Sequence, residues 1–182
     1  MRLLGSDNLI LTGFMGTGKT ALGRMLSQVW RRPFIDTDKL IQERTGRKIS
    51  EIFATDGEAF FRRLEQRCVA EWLPDSGAII STGGGIVTID GMSEALAKKG
   101  VVVALFASPE VIFSRIAGNK SRPLLQIEDP AERLAKIREL YASRERAYMR
   151  SGVNVMTDFC SVEELVERVT KIYNRACSRK SV

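Results

Sequence analysis

Residues 13–20 read GFMGTGKT and follow the apolar run NLILT, so Gly13, Gly18, Lys19 and Thr20 stand in the spacing G-x-x-x-x-G-K-[ST]. From average residue usage, a chance match in a chain this long is roughly a one-in-a-hundred event. Glycines concentrated there leave the backbone open to close approach or to positive φ. Successive N–H groups of such a loop, here around Met15, Gly16, Thr17 and Gly18, form an anion nest, and the helix that follows adds partial positive charge. Lys19 would reach the β- and γ-phosphates of a nucleoside triphosphate, and the Thr20 hydroxyl would ligate Mg²⁺. The bland alternative is a glycine-rich turn with an incidental lysine; the strand pattern before the loop and the helix pattern after it weigh against that. The loop alone does not separate a kinase from a GTPase, a motor or a regulatory ATPase.

A second group of candidates could serve the acceptor. In FIDTDKL, Asp36 and Asp38 end a strand pattern, and residues i and i+2 of an extended segment project the same way. Two acids there suit phosphoryl transfer to an alcohol, one placing Mg²⁺ through water and one taking the hydroxyl proton. Asp38 would equally serve as the N-cap of a helix opening at Lys39. STGGG puts Gly83, Gly84 and Gly85 at another strand end, as an exposed-amide turn or simply a flexible one. GEAFFRRLE and LYASRERAY carry Arg62, Arg63, Arg144 and Arg146 on helix patterns. Guanidinium forks bind carboxylates bidentately, so two that converge would mark an acidic acceptor, although most helix arginines are solvated. The chain has no histidine, which leaves carboxylate, lysine, cysteine or tyrosine as general base.

Short apolar runs must position these residues. Strands are predicted at Leu9–Leu11, Phe34–Ile35, Ala78–Ser81, Val101–Phe106 and Val153–Met156, and helices at Lys19–Trp30, Lys39–Arg44, Glu58–Leu73, Met92–Lys98, Pro109–Ile116, Pro130–Met149 and Val162–Ala176. Runs such as VVVALF are apolar on both faces, as in a parallel sheet covered on each side. An α/β fold follows, with three αβα layers around a five-stranded parallel sheet. Two segments break the rhythm: about forty residues between the second and third strands, and the polar stretch GNKSRPLLQIEDP, residues 118–130.

At 182 residues with 44% hydrophobic content, a single domain over residues 1–182 is expected. No run reaches the roughly 18 apolar residues of a membrane span and no leader pattern opens the chain, so the reading is a soluble, cytoplasmic protein with no membrane partner. Cys68, Cys160 and Cys177 lack the spacing of a disulfide framework or zinc site. The net charge of +6 is spread along the chain without interleaved aromatics, which argues against a nucleic-acid platform.

Taken in order, GFMGTGKT, DTD, GEAFFR, TGGG, RPLL and RERAY resemble shikimate kinase over Leu9 to about Thr157. The resemblance implies a P-loop, nucleoside-monophosphate-kinase-like enzyme that moves the ATP γ-phosphate to the 3-hydroxyl of shikimate, on the route to chorismate and aromatic amino acids. It assigns Asp38 to the shikimate hydroxyls as base, Thr20 to Mg²⁺ with Asp36 reaching the ion through water, and Arg62 and Arg144 to the substrate carboxylate with help from the Gly84 amide in the Gly83–Gly85 turn. Phe53 and Phe61 would wall the pocket within a shikimate-binding segment at about residues 36–73. Arg122 of RPLL would belong to a lid at about residues 118–130 and, with Lys19, neutralise the moving phosphoryl group; Arg115 would lie near the adenine. Ala21, also against ATP, stands where the family often has a second hydroxyl. RERAY lacks the family's usual proline, and Arg146 is the alternative to Arg144. A monomer is expected. Rival readings are another small-molecule kinase, gluconate-like or for a nucleoside monophosphate, and a nucleic-acid-binding ATPase.

Overall fold

The computed structural model describes residues 5–116 and 127–180. Five strands, β1 (Asn8–Gly13), β2 (Phe34–Asp36), β3 (Ile79–Ser81), β4 (Gly100–Phe106) and β5 (Val153–Met156), form one sheet in the order β2-β3-β1-β4-β5. Every pairing is parallel. The chain leaves β1 toward one edge of the sheet and crosses back only between β3 and β4. This makes the C-terminal end of β1 the switch point where open α/β sheets bind ligands.

The apolar strands divide by parity between two cores. Leu9, Leu11, Val101, Val103 and Leu105 face α1 (Lys19–Trp30) and α7 (Val162–Lys180). Ile10, Ile80, Val102, Ala104 and Phe106 face the opposite layer, built from α2 (Thr37–Thr45), α3 (Ile49–Arg67), α4 (Met92–Lys99), α5 (Pro109–Ile116) and α6 (Pro130–Ser151). Side chains alternate across a strand, so two apolar layers demand strands that are apolar throughout. Buried Asn8 stitches the sheet's lower end: its amide donates to the carbonyls of Pro74 (2.7 Å) and Lys99 (3.0 Å) and its oxygen accepts from the Ala78 N–H (2.9 Å). Among the described residues no helix is long and apolar enough to cross a membrane.

Two expectations are corrected. Asp36 and Asp38 do not share an extended segment, because β2 ends at Asp36 and α2 begins at Thr37. Asp36, not Asp38, caps that helix: its carboxylate accepts from the N–H groups of Asp38 (3.1 Å) and Lys39 (3.3 Å), satisfying two of the helix's otherwise unpaired donors. The long connection before β3 is also more regular than its sequence suggests, since α3 opens at Ile49 rather than Glu58. The Glu51 carboxylate accepts from the Lys48 N–H (3.0 Å), the Gln42 side chain from the Ile49 N–H (3.1 Å), and Ile52 is fully buried. Gly57, at φ 77°, kinks the helix midway, and α3 then widens into a π-helical turn at Cys68–Trp72.

Asp129 caps α6 by accepting from the Glu132 N–H (2.8 Å), with Pro130 at the first turn where it displaces no needed donor. Of the expected lid, residues 118–126 lie outside the described residues, and Arg122 with them.

Candidate active site

The phosphate loop spans the end of β1 and the start of α1. Gly13, Gly16 and Gly18 have φ of 136°, 77° and 93°, values that side chains strongly disfavour, so the glycine spacing is a backbone requirement. The loop is also tied internally. Thr17 donates its hydroxyl to the Phe14 carbonyl (2.8 Å), and the largely buried Lys19 ammonium donates to the carbonyls of Gly13 (2.7 Å) and Phe14 (2.8 Å).

In front of the loop lies a cavity of about 400 Å³. Gly16, Thr17, Gly18, Lys19, Thr20 and Ala21 form its floor. Arg115, at the end of α5, forms one wall together with Thr157, and Asp36, Asp38 and Gly84 close the other side. Two members of the expected ATP set stand behind the surface rather than on it: Gly13 receives the lysine through its carbonyl, and Met15 is packed in the core.

Beyond Asp38 and Gly84 the remaining candidates converge. A Cβ on Gly83 would come within 2.6 Å of an Asp38 carboxylate oxygen and 2.8 Å of a Glu65 oxygen, so only glycine lets the turn pass between the two acids. The Gly83 N–H donates to the Thr37 hydroxyl (3.0 Å). A Cβ on Gly85 would fall on the Arg62 guanidinium, while one on Gly84 would meet nothing nearer than the Met15 nitrogen at 3.6 Å. The glycine turn therefore touches the phosphate loop on one side and the arginine on the other.

Helix spacing brings the charges in. Glu58, Phe61, Arg62 and Glu65 form one stripe of α3, and Arg62 pairs with both acids at 2.6 Å. Tyr141, Arg144 and Tyr148 form one stripe of α6; Tyr148 donates its hydroxyl to the Gly84 carbonyl and interacts with Arg144. Arg144 lies over the Phe14 ring (6.0 Å) and Arg62 over Phe61 (5.9 Å), so each cation is backed by an aromatic face. Arg146, two positions along α6, is exposed. Phe61 is buried, and Phe53 stacks on it with ring centroids 4.9 Å apart, though 38% of Phe53 remains exposed.

Glu65 is the chief functional candidate that sequence reasoning passed over. It has no exposed surface, and burial pushes its carboxyl pKa up to about 7 against the pull of Arg62, with Asp38 adding to the rise and Arg144 opposing it. Burial opposes the Arg62 charge, but Glu65 and Glu58 outweigh it and hold the guanidinium firmly protonated. Burial likewise raises the Tyr148 phenol to about 12, keeping it a hydrogen-bond donor at neutral pH. Ser81, Thr157 and Cys160, which also line the cavity, carry no sequence signal of their own beyond their place at strand ends.

Known proteins resemble this chain in sequence and fold. The family model described as shikimate kinase matches residues 15–174. The shikimate kinase of Caldanaerobacter subterraneus subsp. tengcongensis is 45% identical over 141 residues, 78% of this chain and 81% of that protein. That of Thermus thermophilus is 43% identical over 149 residues, 81% and 79% of the two chains. The chain belongs to the shikimate kinase family.

Solved shikimate kinases superpose closely. The Acinetobacter baumannii enzyme in complex with shikimate has a TM-score of 0.84 at 32% identity, covering 93% of each chain, and the Bacteroides thetaiotaomicron enzyme 0.85 at 32%, covering 92% and 98%. A gluconokinase from Sinorhizobium meliloti, at 18% identity and TM-score 0.59, shares the fold alone. As a shikimate kinase family member the chain is a P-loop, nucleoside-monophosphate-kinase-like enzyme, an ATP-using phosphotransferase with a shikimate hydroxyl as acceptor.

Proposed function

We propose that the chain phosphorylates the 3-hydroxyl of shikimate with ATP lying in the 400 Å³ cavity and shikimate on the far side of Gly84 and Asp38. The observation that carries this division is the glycine turn, whose Gly84 lies against Met15 and Gly13 of the phosphate loop while Gly85 lies against Arg62. Donor and acceptor would meet across it.

ATP phosphates would take the N–H groups of residues 16–20 and the Lys19 ammonium, exchanging that lysine's two carbonyl contacts for anionic oxygens. Hard oxygen donors suit Mg²⁺, and both the exposed Thr20 hydroxyl and the Asp36 carboxylate line the cavity. Among the described residues no group of three or more histidine, cysteine or acidic side chains could hold a metal, which fits an ion that takes its remaining ligands from phosphates and water. Bound there, it would neutralise charge on the transferring group. Asp38 would accept the proton of the attacking hydroxyl. Arg62 and Arg144 would clamp the substrate carboxylate, with Glu65 fixing Arg62 from behind and Phe53 and Phe61 walling the ring. Arg122 would neutralise the moving phosphoryl group; that role rests on the RPLL motif alone, and Arg122→Ala is expected to lower kcat.

A coupled assay of ADP release tests the whole reading. Turnover should require shikimate and should not appear with gluconate, AMP or RNA in its place. Release driven by any of those and indifferent to shikimate would contradict it.

A further inference from the structure

None of the ion pairs among the described residues includes Arg115. Neutral groups hold it instead. One terminal nitrogen donates to the Thr157 hydroxyl (2.9 Å), the other to the Thr157 carbonyl (2.8 Å), and the first also reaches the Gly16 carbonyl (3.4 Å). Two contacts from one fork to one residue fix both the position and the plane of the guanidinium.

Thr157 is itself anchored on three sides. It is fully buried just beyond β5, and its N–H donates to the Phe106 carbonyl at the end of β4 (2.8 Å). Its hydroxyl lies 3.0 Å from that same carbonyl and 3.3 Å from the Thr17 carbonyl in the phosphate loop. A hydroxyl has one proton and two lone pairs, so it accepts from Arg115 while sharing its proton between Phe106 and Thr17. One oxygen thus joins the sheet, the phosphate loop and the cavity-wall arginine. Arg115, Thr157, Gly16 and Thr17 all line the same cavity.

We infer that Thr157 is a positioning residue for the nucleotide: through its hydroxyl it sets the distance between the Arg115 end of the cavity and the phosphate loop, and so acts on ATP through Arg115. The inference rests on the reading that ATP occupies this cavity. Among the described residues the hydrogen bonds of Thr157 go to Arg115, Phe106 and Thr17, all away from the acceptor side, so its influence falls on the donor substrate.

Calorimetric titration with ATP and steady-state kinetics on the full chain test this. Thr157→Val keeps the shape, removes the hydroxyl and leaves an Arg115 N–H without its acceptor. It should weaken ATP binding and raise the ATP KM roughly tenfold, leaving the shikimate KM and the kcat at saturating ATP within about twofold. Thr157→Ser should restore ATP affinity. In an Arg115→Ala background, Thr157→Val should cost little further, since the contact it removes is already gone. Thr157→Cys, similar in size but a weak donor, gives the same contrast should the valine variant not fold. The inference is overturned if folded Thr157→Val binds ATP normally, if Thr157→Ser fails to rescue, or if the two substitutions add in full. Lys19→Met reports on the underlying reading separately: unchanged ATP affinity in that variant would remove the nucleotide from this cavity, and the inference would fall with it.

Discussion

The two halves of the site are built differently. The floor of the donor side is one continuous stretch of eight residues, with three glycines at positive φ and a lysine folded over its own loop, and its walls add Arg115, Thr157 and Asp36 from elsewhere in the chain. The acceptor side is gathered from the start of α2, the middle of α3, the turn after β3 and the last third of α6. Its groups are mostly side chains, and its centre is the buried acid Glu65, paired with Arg62. A backbone nest suits any phosphate chain, whereas the proposed carboxylate clamp, Arg62 on α3 with Arg144 on α6, would suit one acid. Generality is local here and specificity is tertiary.

If that contrast is right, substitutions on the acceptor side should separate chemistry from binding. Asp38→Asn should have the largest effect, lowering kcat by roughly 10² or more through loss of the proton acceptor while ATP affinity persists. Stopped-flow or steady-state turnover at saturating substrates measures it, and unchanged kcat would reduce Asp38 to a first-turn helix residue. Gly85→Ala comes next. Its Cβ falls on the Arg62 guanidinium, so the arginine must shift; the shikimate KM should rise roughly tenfold or more, with the ATP KM unmoved. Gly84→Ala, whose Cβ has at least 3.6 Å of room, should cost less than Gly85→Ala, and the reverse order would break the geometric argument.

A smaller effect belongs to Glu65. Its folded-state pKa of about 7 lies above the ordinary 4.5, so the folded chain holds this proton more tightly than the unfolded chain does. The stabilisation is fully present below pH 4.5 and is lost as pH rises through 7. Denaturant unfolding measured across that window should show a decline that Glu65→Gln flattens; an unaltered profile would show the acid to be paired throughout. The smallest kinetic effect is expected far from either substrate. Gly23→Ala drives a Cβ into the Phe34 ring between α1 and β2, which should lower stability by about 1 to 3 kcal/mol in thermal or urea unfolding and leave both KM values alone.

The same contrast explains what could be read in the sequence. The phosphate loop was visible because its spacing is local, and the central strands β1, β3 and β4 because burial on both faces makes them largely apolar, whereas the edge strands β2 and β5 are short and only partly buried. The helices Lys19–Trp30 and Pro109–Ile116 have the boundaries their sequence patterns suggest. The first half of α3 was not visible, because Gly57 looks like a break and only the capping by Glu51 and Gln42, with Ile52 in the core, makes Ile49–Asp56 helical. The roles of Asp36 and Asp38 were blurred by a strand that ends one residue before the helix begins. Glu65 looked like one more acid on a charged helix. Its importance comes from Arg62, Gly83 and Asp38, which lie close to it only in the folded chain. Thr157 likewise has no pattern around it; three elements give it meaning.

The central claim is that Arg62, with Arg144, grips the substrate through its carboxylate. The direct test is calorimetric binding of shikimate and of the analogue bearing a neutral hydroxymethyl group in place of the carboxylate, each to the wild-type chain and to Arg62→Ala. Loss of a partly buried charged contact typically costs about 2 to 5 kcal/mol, so the substitution should weaken shikimate by that amount and leave the neutral analogue nearly unaffected. Equal losses for the two ligands would show that Arg62 does not read the carboxylate.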